Sequence, residues 1–346
     1  MALKYARFFL LIPAFVISVG CEEPTEHSVV TRNPYKDVNW STWTRHTVNL
    51  HTHTTESDGK LSPADVADAY KELGYAGLSI TDHNKYTWPW NTWGRDTLTE
   101  GIVAIPGSEA SRHDHVNSFF CDYGGTSGNT EVTLDSISSK GGLAQINHPG
   151  RYNRSASWYE NLYTRYPILI SMEVYNQGDR YSGDRRLWDE VLSRTMPVRP
   201  IWATSNDDMH KADHIGRNRQ IVLTAEPELT LENVRESLEK GRFFAGYDLS
   251  GTAENLIIPD SIIVRPDTIR LYAQASNADI RWISVGDEVH AGAELVLSTK
   301  SNLSNYVRAE IRGSGGARVL TQPFGLEPAV SSGFPERNIE PKSPKM

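Results

Sequence analysis

Histidine and carboxylate residues recur at the ends of predicted strands in the first two-thirds of the chain. His51 and His53 are separated by one residue in an extended run, so both imidazoles project from the same face and can bind one cation. Asp58 follows in a turn that contains Gly59. Residues of the same types close the later strands: His83, Glu109 with His115, His148, and Asp208 with His210. These nine positions form a candidate metal-binding set.

The elements that must position this set follow a β/α alternation. Between residues 44 and 250, seven β-rich runs alternate with helical patterns, at 47–51, 76–81, 102–106, 143–147, 168–175, 200–205 and 220–223. One helix is marked by Ser62 as its N-cap, Pro63 at its first position and Gly74 as its stop. In a parallel barrel the carboxyl ends of all strands surround one mouth, so we expect the nine side chains to meet there.

The composition restricts the type of metal site and the class of partner that the chain can have. The 346 residues include only two cysteines, which cannot form a thiolate zinc site. A ligand set of imidazole nitrogen and carboxylate oxygen suits zinc, manganese or iron(II) and does not choose among them. The formal net charge of −8, without a basic patch, argues against nucleic acid as a partner. The sequence does not indicate an oligomeric state.

The pattern changes after about residue 250. Val307, Ala309 and Ile311 alternate with charged residues, which is typical of a strand with one buried face. We therefore predict a small antiparallel β domain over 251–330. The final segment, 331–346, combines prolines with charged residues and is predicted to be a disordered tail.

The N-terminal segment predicts export. Lys4 and Arg7 precede an apolar run at 8–19 that is too short for a comfortable membrane span. The run ends at Gly20 and Cys21, which resembles the lipobox of bacterial lipoproteins and makes residues 1–21 a signal peptide with Cys21 as the lipidation site. We expect a lipid anchor in the outer membrane, on its periplasmic or its surface side. An ordinary cleaved signal is the alternative, and residues 22–43 are predicted to be a tether.

Seven short motifs, in this order, resemble those of the polymerase and histidinol phosphatase (PHP) superfamily. They are His51-Thr52-His53, Ser57-Asp58-Gly59, Thr81-Asp82-His83-Asn84, Pro106-Gly107-Ser108-Glu109, His115-Val116-Asn117, Asn147-His148-Pro149 and Asp207-Asp208-Met209-His210. The resemblance covers about residues 44–250, and the following β domain makes the chain most similar to the carbaryl-hydrolase-like branch. It implies an α/β fold, a distorted (β/α)7 barrel followed by an antiparallel β-sandwich-like domain.

The same resemblance implies two or three divalent metal ions at the mouth of the barrel. It distributes the nine residues over three sites: His51, His53, Glu109 and Asp208 at the first, Glu109 with His115 and His148 at the second, and Asp58, His83 and His210 at the third. Many members of the superfamily have a histidine where this chain has Asp58.

Three carboxylates are candidates for catalysis. A carboxylate such as Glu109 that bridges two cations lets them share a water, which is deprotonated near neutral pH to a nucleophilic hydroxide. Asp208 would accept the proton as that hydroxide attacks. Asp82, next to His83, would accept a hydrogen bond from a ligand imidazole, or it would instead cap a turn.

Several residues are candidates for holding a substrate. Arg151 follows His148, and Arg112 follows Glu109, so each guanidinium can be expected to bind a phosphate group. His113 is a candidate substrate contact. Trp88 and Trp90 belong to an aromatic-rich loop after His83, which would suit an apolar leaving group or a sugar ring, or would simply pack against the rest of the fold.

These observations predict an exported, metal-dependent hydrolase, foremost a phosphoesterase. Two alternative activities remain open: hydrolysis of aryl esters or carbamates, and metal-assisted hydrolysis or elimination on acidic oligosaccharides. The substrate is thus expected to be a small molecule or an oligosaccharide. A non-catalytic surface glycan-binding lipoprotein is the remaining alternative, and it predicts missing metal ligands.

Overall fold

A computed structural model describes residues 28–95, 101–125, 128–275 and 278–328. The predicted signal peptide with Cys21 and the predicted tail at 331–346 lie outside these ranges. Within them, no helix combines the length and apolar character needed to cross a membrane. The described residues form a mixed α/β fold, which confirms the α/β part of the predicted fold class.

Five α-helices and nineteen strands make up the described part of the chain. The helices are α1 (Pro63–Glu72), α2 (Thr130–Ser139), α3 (Ala156–Arg165), α4 (Asp184–Thr195) and α5 (Leu231–Lys240). The strands are β1 (Ser28–Arg32), β2 (Thr44–Asn49), β3 (Gly77–Leu78), β4 (Val103–Ala104), β5 (Gly107–Ala110), β6 (Val116–Phe119), β7 (Leu143–Ile146), β8 (Leu169–Asn176), β9 (Trp202–Asn206), β10 (Asn218–Thr224), β11 (Phe243–Tyr247), β12 (Pro259–Arg265), β13 (Thr268–Ala273), β14 (Asp279–Ser284), β15 (Asp287–Ala291), β16 (Glu294–Val296), β17 (Tyr306–Arg312), β18 (Arg318–Leu320) and β19 (Phe324–Pro328).

The strands form three sheets. The largest has eleven strands in the order β1-β19-β17-β18-β11-β10-β2-β3-β4, with β14 and β15 attached through β17. A five-stranded sheet runs β5-β6-β7-β8-β9, and a three-stranded sheet runs β12-β13-β16. Each of the seven predicted β-rich runs overlaps an observed strand, although β3 and β4 have only two residues each.

The uniform β/α alternation is interrupted between β4 and β7. Strands β5 and β6 were not predicted, and they pair antiparallel with each other, as do β6 and β7. Only β7 with β8 and β8 with β9 are parallel in this sheet. Strand β5 has Ser108 and Glu109 at its centre, and β6 has Asn117 and Ser118. Neither strand carries an apolar run, so hydrophobic periodicity does not reveal them.

Helix α1 forms as the sequence predicts. The Ser62 side chain accepts a hydrogen bond from the backbone N–H of Asp65, and Pro63 occupies the first helical position. Gly74 ends the turn with φ of 76°, a conformation that favours glycine. Val66 and Tyr70 are fully buried, so the apolar face of this helix packs against the core.

Strands beyond residue 250 continue the sheet that carries the first histidine pair. Strand β18 pairs antiparallel with β11, which pairs with β10, and β10 pairs with β2. Within the predicted tether, β1 pairs antiparallel with β19, and the Tyr35 side chain is 2% exposed among core residues. Burial of these apolar side chains attaches residues 28–38 to the fold.

Candidate metal centre

His51 and His53 lie directly after strand β2 and are fully buried. Their Nε2 atoms are 3.1 Å apart. The Oδ1 atom of Asp208 lies 3.3 Å from Nε2 of His51 and 3.1 Å from Nε2 of His53. The backbone N–H of His53 donates to the carbonyl of Met209 at 2.8 Å, which holds the segment after β2 beside the segment that carries Asp208. The two imidazoles thus converge on one carboxylate.

Glu109, on strand β5, is the centre of the cluster and is fully buried. Its Oε1 atom lies 3.3 Å from Nε2 of His51 and 2.9 Å from Nδ1 of His115. Its Oε2 atom lies 3.5 Å from Nε2 of His53 and 2.7 Å from Nδ1 of His83. Because the two oxygens face different histidines, this carboxylate can bridge two cations.

Asp58 and two histidines form the solvent-facing side of the cluster. Asp58 Oδ1 lies 3.4 Å from Nε2 of His210, and Asp58 Oδ2 lies 3.6 Å from Nε2 of His83. The Asp58 side chain is 56% exposed, whereas the His83 and His210 side chains are 24% and 25% exposed. The cluster therefore has a buried interior and an accessible edge.

His148 is the last of the nine residues, and it also approaches Glu109. Its Nε2 atom lies 3.5 Å from Glu109 Oε1. The nine residues fall into four overlapping groups whose ligand atoms lie within 4.8 Å of one another: His53, Asp58, His83 and His210; His51, His53 and Glu109; His51, His148 and Asp208; and His83, Glu109 and His115. The structure thus brings all nine sequence-predicted positions together.

The donor set fits divalent cations. Among the described residues, His53 Nδ1, His83 Nδ1, His148 Nδ1 and Glu109 Oε2 are buried without a hydrogen-bond partner. His83 Nδ1 lies 2.7 Å from Glu109 Oε2, yet the pair lacks hydrogen-bond geometry. Ligand atoms at about 2.1 Å from one ion are separated from each other by roughly 3 to 3.4 Å. Such spacing, with unpaired buried atoms, is typical of groups that share a cation rather than a proton.

The electrostatics of the cluster keep Glu109 and Asp208 ionised. Burial alone would raise the pKa of Glu109, but His51 and His115 outweigh it and hold that pKa well below its ordinary value. Burial also opposes ionisation of Asp208, yet His51 and His53 hold the pKa of Asp208 well below its usual range. Ionised carboxylates are the form that binds metal ions.

The predicted catalytic residue Asp82 accepts hydrogen bonds from one backbone N–H and three hydroxyl groups. Its Oδ1 atom accepts from the backbone N–H of Thr54 at 2.7 Å and from the Ser57 hydroxyl at 2.7 Å. Its Oδ2 atom accepts from the hydroxyls of Thr54 at 2.8 Å and Thr87 at 2.6 Å. Asp82 therefore corresponds to the turn-capping alternative.

A cavity of about 470 Å³ opens onto the cluster. Arg151 lines it, as its position after His148 predicts, and so do Ser111, Gln177 and Arg180, which sequence reasoning missed. Gln177 and Arg180 follow the carboxyl end of β8. The candidate ligands were identified at the same kind of position, so the sequence did contain a signal for these two residues.

The remaining predicted substrate contacts are not among the residues that line this cavity. Arg112 and His113 are exposed and do not line it. Trp90 is 2% exposed and packs with Val66 of helix α1 in a separate core cluster, and Trp88 packs against the same cluster. Trp88 also lines a different cavity, of about 740 Å³. The aromatic loop covers an apolar face because burial of indole rings there removes them from water.

Glu173 is a buried acidic residue that the sequence analysis did not select. It lies on strand β8, and its Oε1 atom is 3.1 Å from Nδ1 of His51. The signal for it was an acidic residue within the otherwise apolar run 168–175, because a buried carboxylate requires partners.

Comparisons with known proteins give a likeness of fold. No family model and no curated protein matches the chain. A solved structure from Bacteroides vulgatus, described as a two-domain protein containing a predicted PHP-like metal-dependent phosphoesterase, aligns with a TM-score of 0.51 and 17% identity over 87% of this chain and 91% of that one.

Two further solved structures match over about half of the chain. An amidohydrolase from Chromobacterium violaceum aligns at TM-score 0.38 and 19% identity over 47% of this chain and 87% of that one. A lesion-specific endonuclease from Pyrococcus furiosus aligns at TM-score 0.42 and 13% identity over 57% of this chain and 56% of that one.

Proposed function

We propose that this protein is a metal-dependent hydrolase of phosphate esters, with a distorted PHP-type barrel that holds two or three divalent ions of zinc, manganese or iron. The observation that carries the proposal is the convergence of nine histidine and carboxylate residues into four overlapping groups around Glu109. The fold likeness to the two-domain Bacteroides protein supports it. The appended β strands favour placement near the carbaryl-hydrolase-like branch.

We assign different roles to Glu109 and Asp208 of the cluster. When bound, divalent ions lower the pKa of water and neutralise charge on phosphoryl oxygens. Glu109 presents one oxygen to each side of the cluster and so holds the two sides at a fixed separation. Asp208 is ionised and directs Oδ1 at His51 and His53, which favours the role of a ligand. The proton-acceptor role also assigned to Asp208 belongs to the proposal.

The cavity walls favour an anionic substrate. All of the residues that line the cavity are polar or charged, and Arg151 and Arg180 supply two guanidinium groups beside the ligands. A guanidinium binds a phosphate with two parallel hydrogen bonds. An aryl ester or carbamate would need an apolar wall, and a sugar ring would need an aromatic platform, but Trp88 and Trp90 pack elsewhere. A phosphate ester therefore fits this cavity better than the alternatives.

Release of inorganic phosphate tests the activity. We expect the purified protein, supplied with Mn²⁺ or Zn²⁺, to hydrolyse phosphomonoesters or phosphodiesters. The double variant H51A/H53A should lose this turnover while it keeps its fold. Release of a phenol from aryl carbamates, or of an unsaturated sugar from acidic oligosaccharides, without any phosphate release from esters would contradict the proposal.

We also propose that the chain is exported and anchored to the outer membrane through a lipid on Cys21. The support is the charged start, the apolar run and the cysteine that follows Gly20. Metabolic labelling with palmitate should mark the wild-type protein and leave C21A unlabelled. Equal labelling of both forms, or of neither, would contradict lipidation at this cysteine.

A further inference from the structure

Glu173 is fully buried, and all of its acceptor positions are in use. Its Oε1 atom faces Nδ1 of His51 at 3.1 Å and accepts from the side-chain amide of Asn206 at 3.0 Å. Its Oε2 atom accepts from the backbone N–H of His148 and from the side-chain amide of Asn176, both at 2.8 Å. Glu173 belongs to none of the four ligand groups, but it contacts two of their members, His51 and His148, directly.

The contact with His51 determines which ring nitrogen carries the proton. A carboxylate surrounded by amide donors can only accept, so Nδ1 of His51 must donate to Glu173. In the neutral ring, the form that binds a cation, the lone pair is then on Nε2, which faces Glu109 Oε1 and Asp208 Oδ1, both at 3.3 Å. Outer carboxylates of this kind fix the tautomer and the orientation of a ligand histidine.

The contact with His148 holds an unfavourable backbone conformation. His148 has φ of 28°, which is rare for a residue with a side chain, and Pro149 follows it without an N–H group. The hydrogen bond from the His148 backbone N–H to Glu173 fixes this conformation. It is the conformation in which His148 Nε2 reaches to 3.5 Å from Glu109 Oε1.

Asn176 extends the same connection to a third ligand. Its side-chain amide donates to Glu173 at 2.8 Å and to Asp208 Oδ2 at 3.2 Å. Asp208 also has a positive φ, of 44°. His51, His148 and Asp208 together are one of the four ligand groups, and every member of it is bound to Glu173 directly or through Asn176.

We propose that Glu173 is a positioning residue that pre-forms the ligand group of His51, His148 and Asp208 and thereby sets the affinity of that group for its cation. This inference rests on the metal-dependent function proposed above. It assigns to Glu173 no contact with substrate. Pre-formed ligands bind a cation more tightly because they lose less conformational freedom when it enters.

The test measures metal affinity rather than turnover. In E173Q the size of the side chain is kept, but one of its two acceptor atoms becomes a donor that faces other donors. We expect a 10- to 100-fold weaker affinity for the Zn²⁺ equivalent at His51, His148 and Asp208 in competition with a chromophoric chelator, with the equivalent at Asp58, His83 and His210 unchanged. The visible absorption of the Co²⁺ form should change as well, because the geometry of one site changes.

Two further variants distinguish an effect on the position of the metal ligands from an effect on the stability of the whole fold. D189N alters a buried carboxylate that pairs with Arg308, so it should lower stability and leave Zn²⁺ affinity unchanged. N176A removes the connection to Asp208 and keeps the contacts of Glu173 with His51 and His148, so its loss of affinity should be smaller than that of E173Q. If E173Q does not fold, the Zn²⁺ affinity of N176A still tests the positioning role.

The outcomes distinguish this inference from the function on which it rests. Wild-type Zn²⁺ affinity for each equivalent in both E173Q and N176A, or an equal loss of affinity in D189N, would overturn the positioning role. Absence of tight Zn²⁺ binding by the wild-type protein would instead overturn the proposed metal-dependent function.

Discussion

Asp58 Oδ1 and His210 Nε2 lie 3.4 Å apart at the exposed edge of the cluster, whereas Glu109 is fully buried at its centre. Solvent access to a metal site affects how its ligands hold a cation, and ligands that water reaches exchange it faster than buried ligands. We therefore expect the group that contains Asp58 to release its cation first.

This difference predicts the order in which a chelator removes the ions. We expect a limiting amount of chelator to release one equivalent quickly and the remainder slowly, as followed by elemental analysis over time. D58A should lack the fast equivalent, and D58H should hold Zn²⁺ there more tightly than the wild type. Identical release curves for the wild type and D58A would refute the assignment.

The two cavity arginines predict a defect in substrate binding. Removal of Arg151 or Arg180 should lower kcat/KM for a phosphate ester by about 10- to 100-fold, since a hydrogen bond to a charged group contributes about 1.5 to 3 kcal/mol. Steady-state kinetics with phosphate detection measure this. R112A is the matched control, because Arg112 is exposed and does not line the cavity. An equal defect in R112A would contradict a local role for the other two.

Asp184, at the start of helix α4, predicts a pH-dependent stability. Burial is the main cause that raises the pKa of Asp184 to about 8, although its Oδ1 atom accepts from the backbone N–H of Gly150 at 2.5 Å. The carboxyl group is neutral in the folded chain but ionised in the unfolded chain between about pH 4 and pH 8. Unfolding then releases a proton, so this group destabilises the fold increasingly as the pH rises through that window.

The variant D184N isolates this contribution. Asparagine keeps an acceptor for Gly150 and cannot ionise. The free energy of unfolding of D184N, minus that of the wild type, should increase from pH 4 to pH 8 in denaturant titrations. A difference that stays constant over this range would show that Asp184 does not hold a proton in the folded protein.

A buried ion pair predicts that the strands beyond residue 250 unfold together with the preceding part of the chain. Arg308 on β17 donates to both carboxylate oxygens of Asp189 on α4, at 2.8 and 2.7 Å. Loss of one partner leaves a buried charge, which costs about 3 to 5 kcal/mol. R308M should show that loss in a single transition, detected alike by tryptophan fluorescence and circular dichroism. Two separate transitions would indicate independently folding domains.

The candidate ligands could be predicted because metal chemistry restricts the residue types and strand ends restrict their places. His51 and His53 illustrate this, since a spacing of two in an extended run already puts both rings on one face. Their ligand role remains a prediction. Arg180 follows the carboxyl end of β8, but that position alone does not distinguish it from a surface arginine until the cavity is known.

Other features depended mainly on tertiary packing. Trp88 and Trp90 follow His83 closely in the sequence, yet their loop turns toward helix α1, where it buries indole surface. Glu173 lies in an apolar strand, and its partners come from three other segments. The antiparallel strand β6 was missed because the polar residues Asn117 and Ser118 separate its two apolar residues.

The metal content of the purified chain tests the central claim most directly. Glu109 contacts histidines on both sides of the cluster and belongs to two of the four ligand groups. We predict two or three equivalents of divalent metal per chain in the wild type, and at most one in E109Q with its secondary structure intact. A wild-type chain that binds no divalent metal, or an E109Q chain that binds as much as the wild type, would contradict the account.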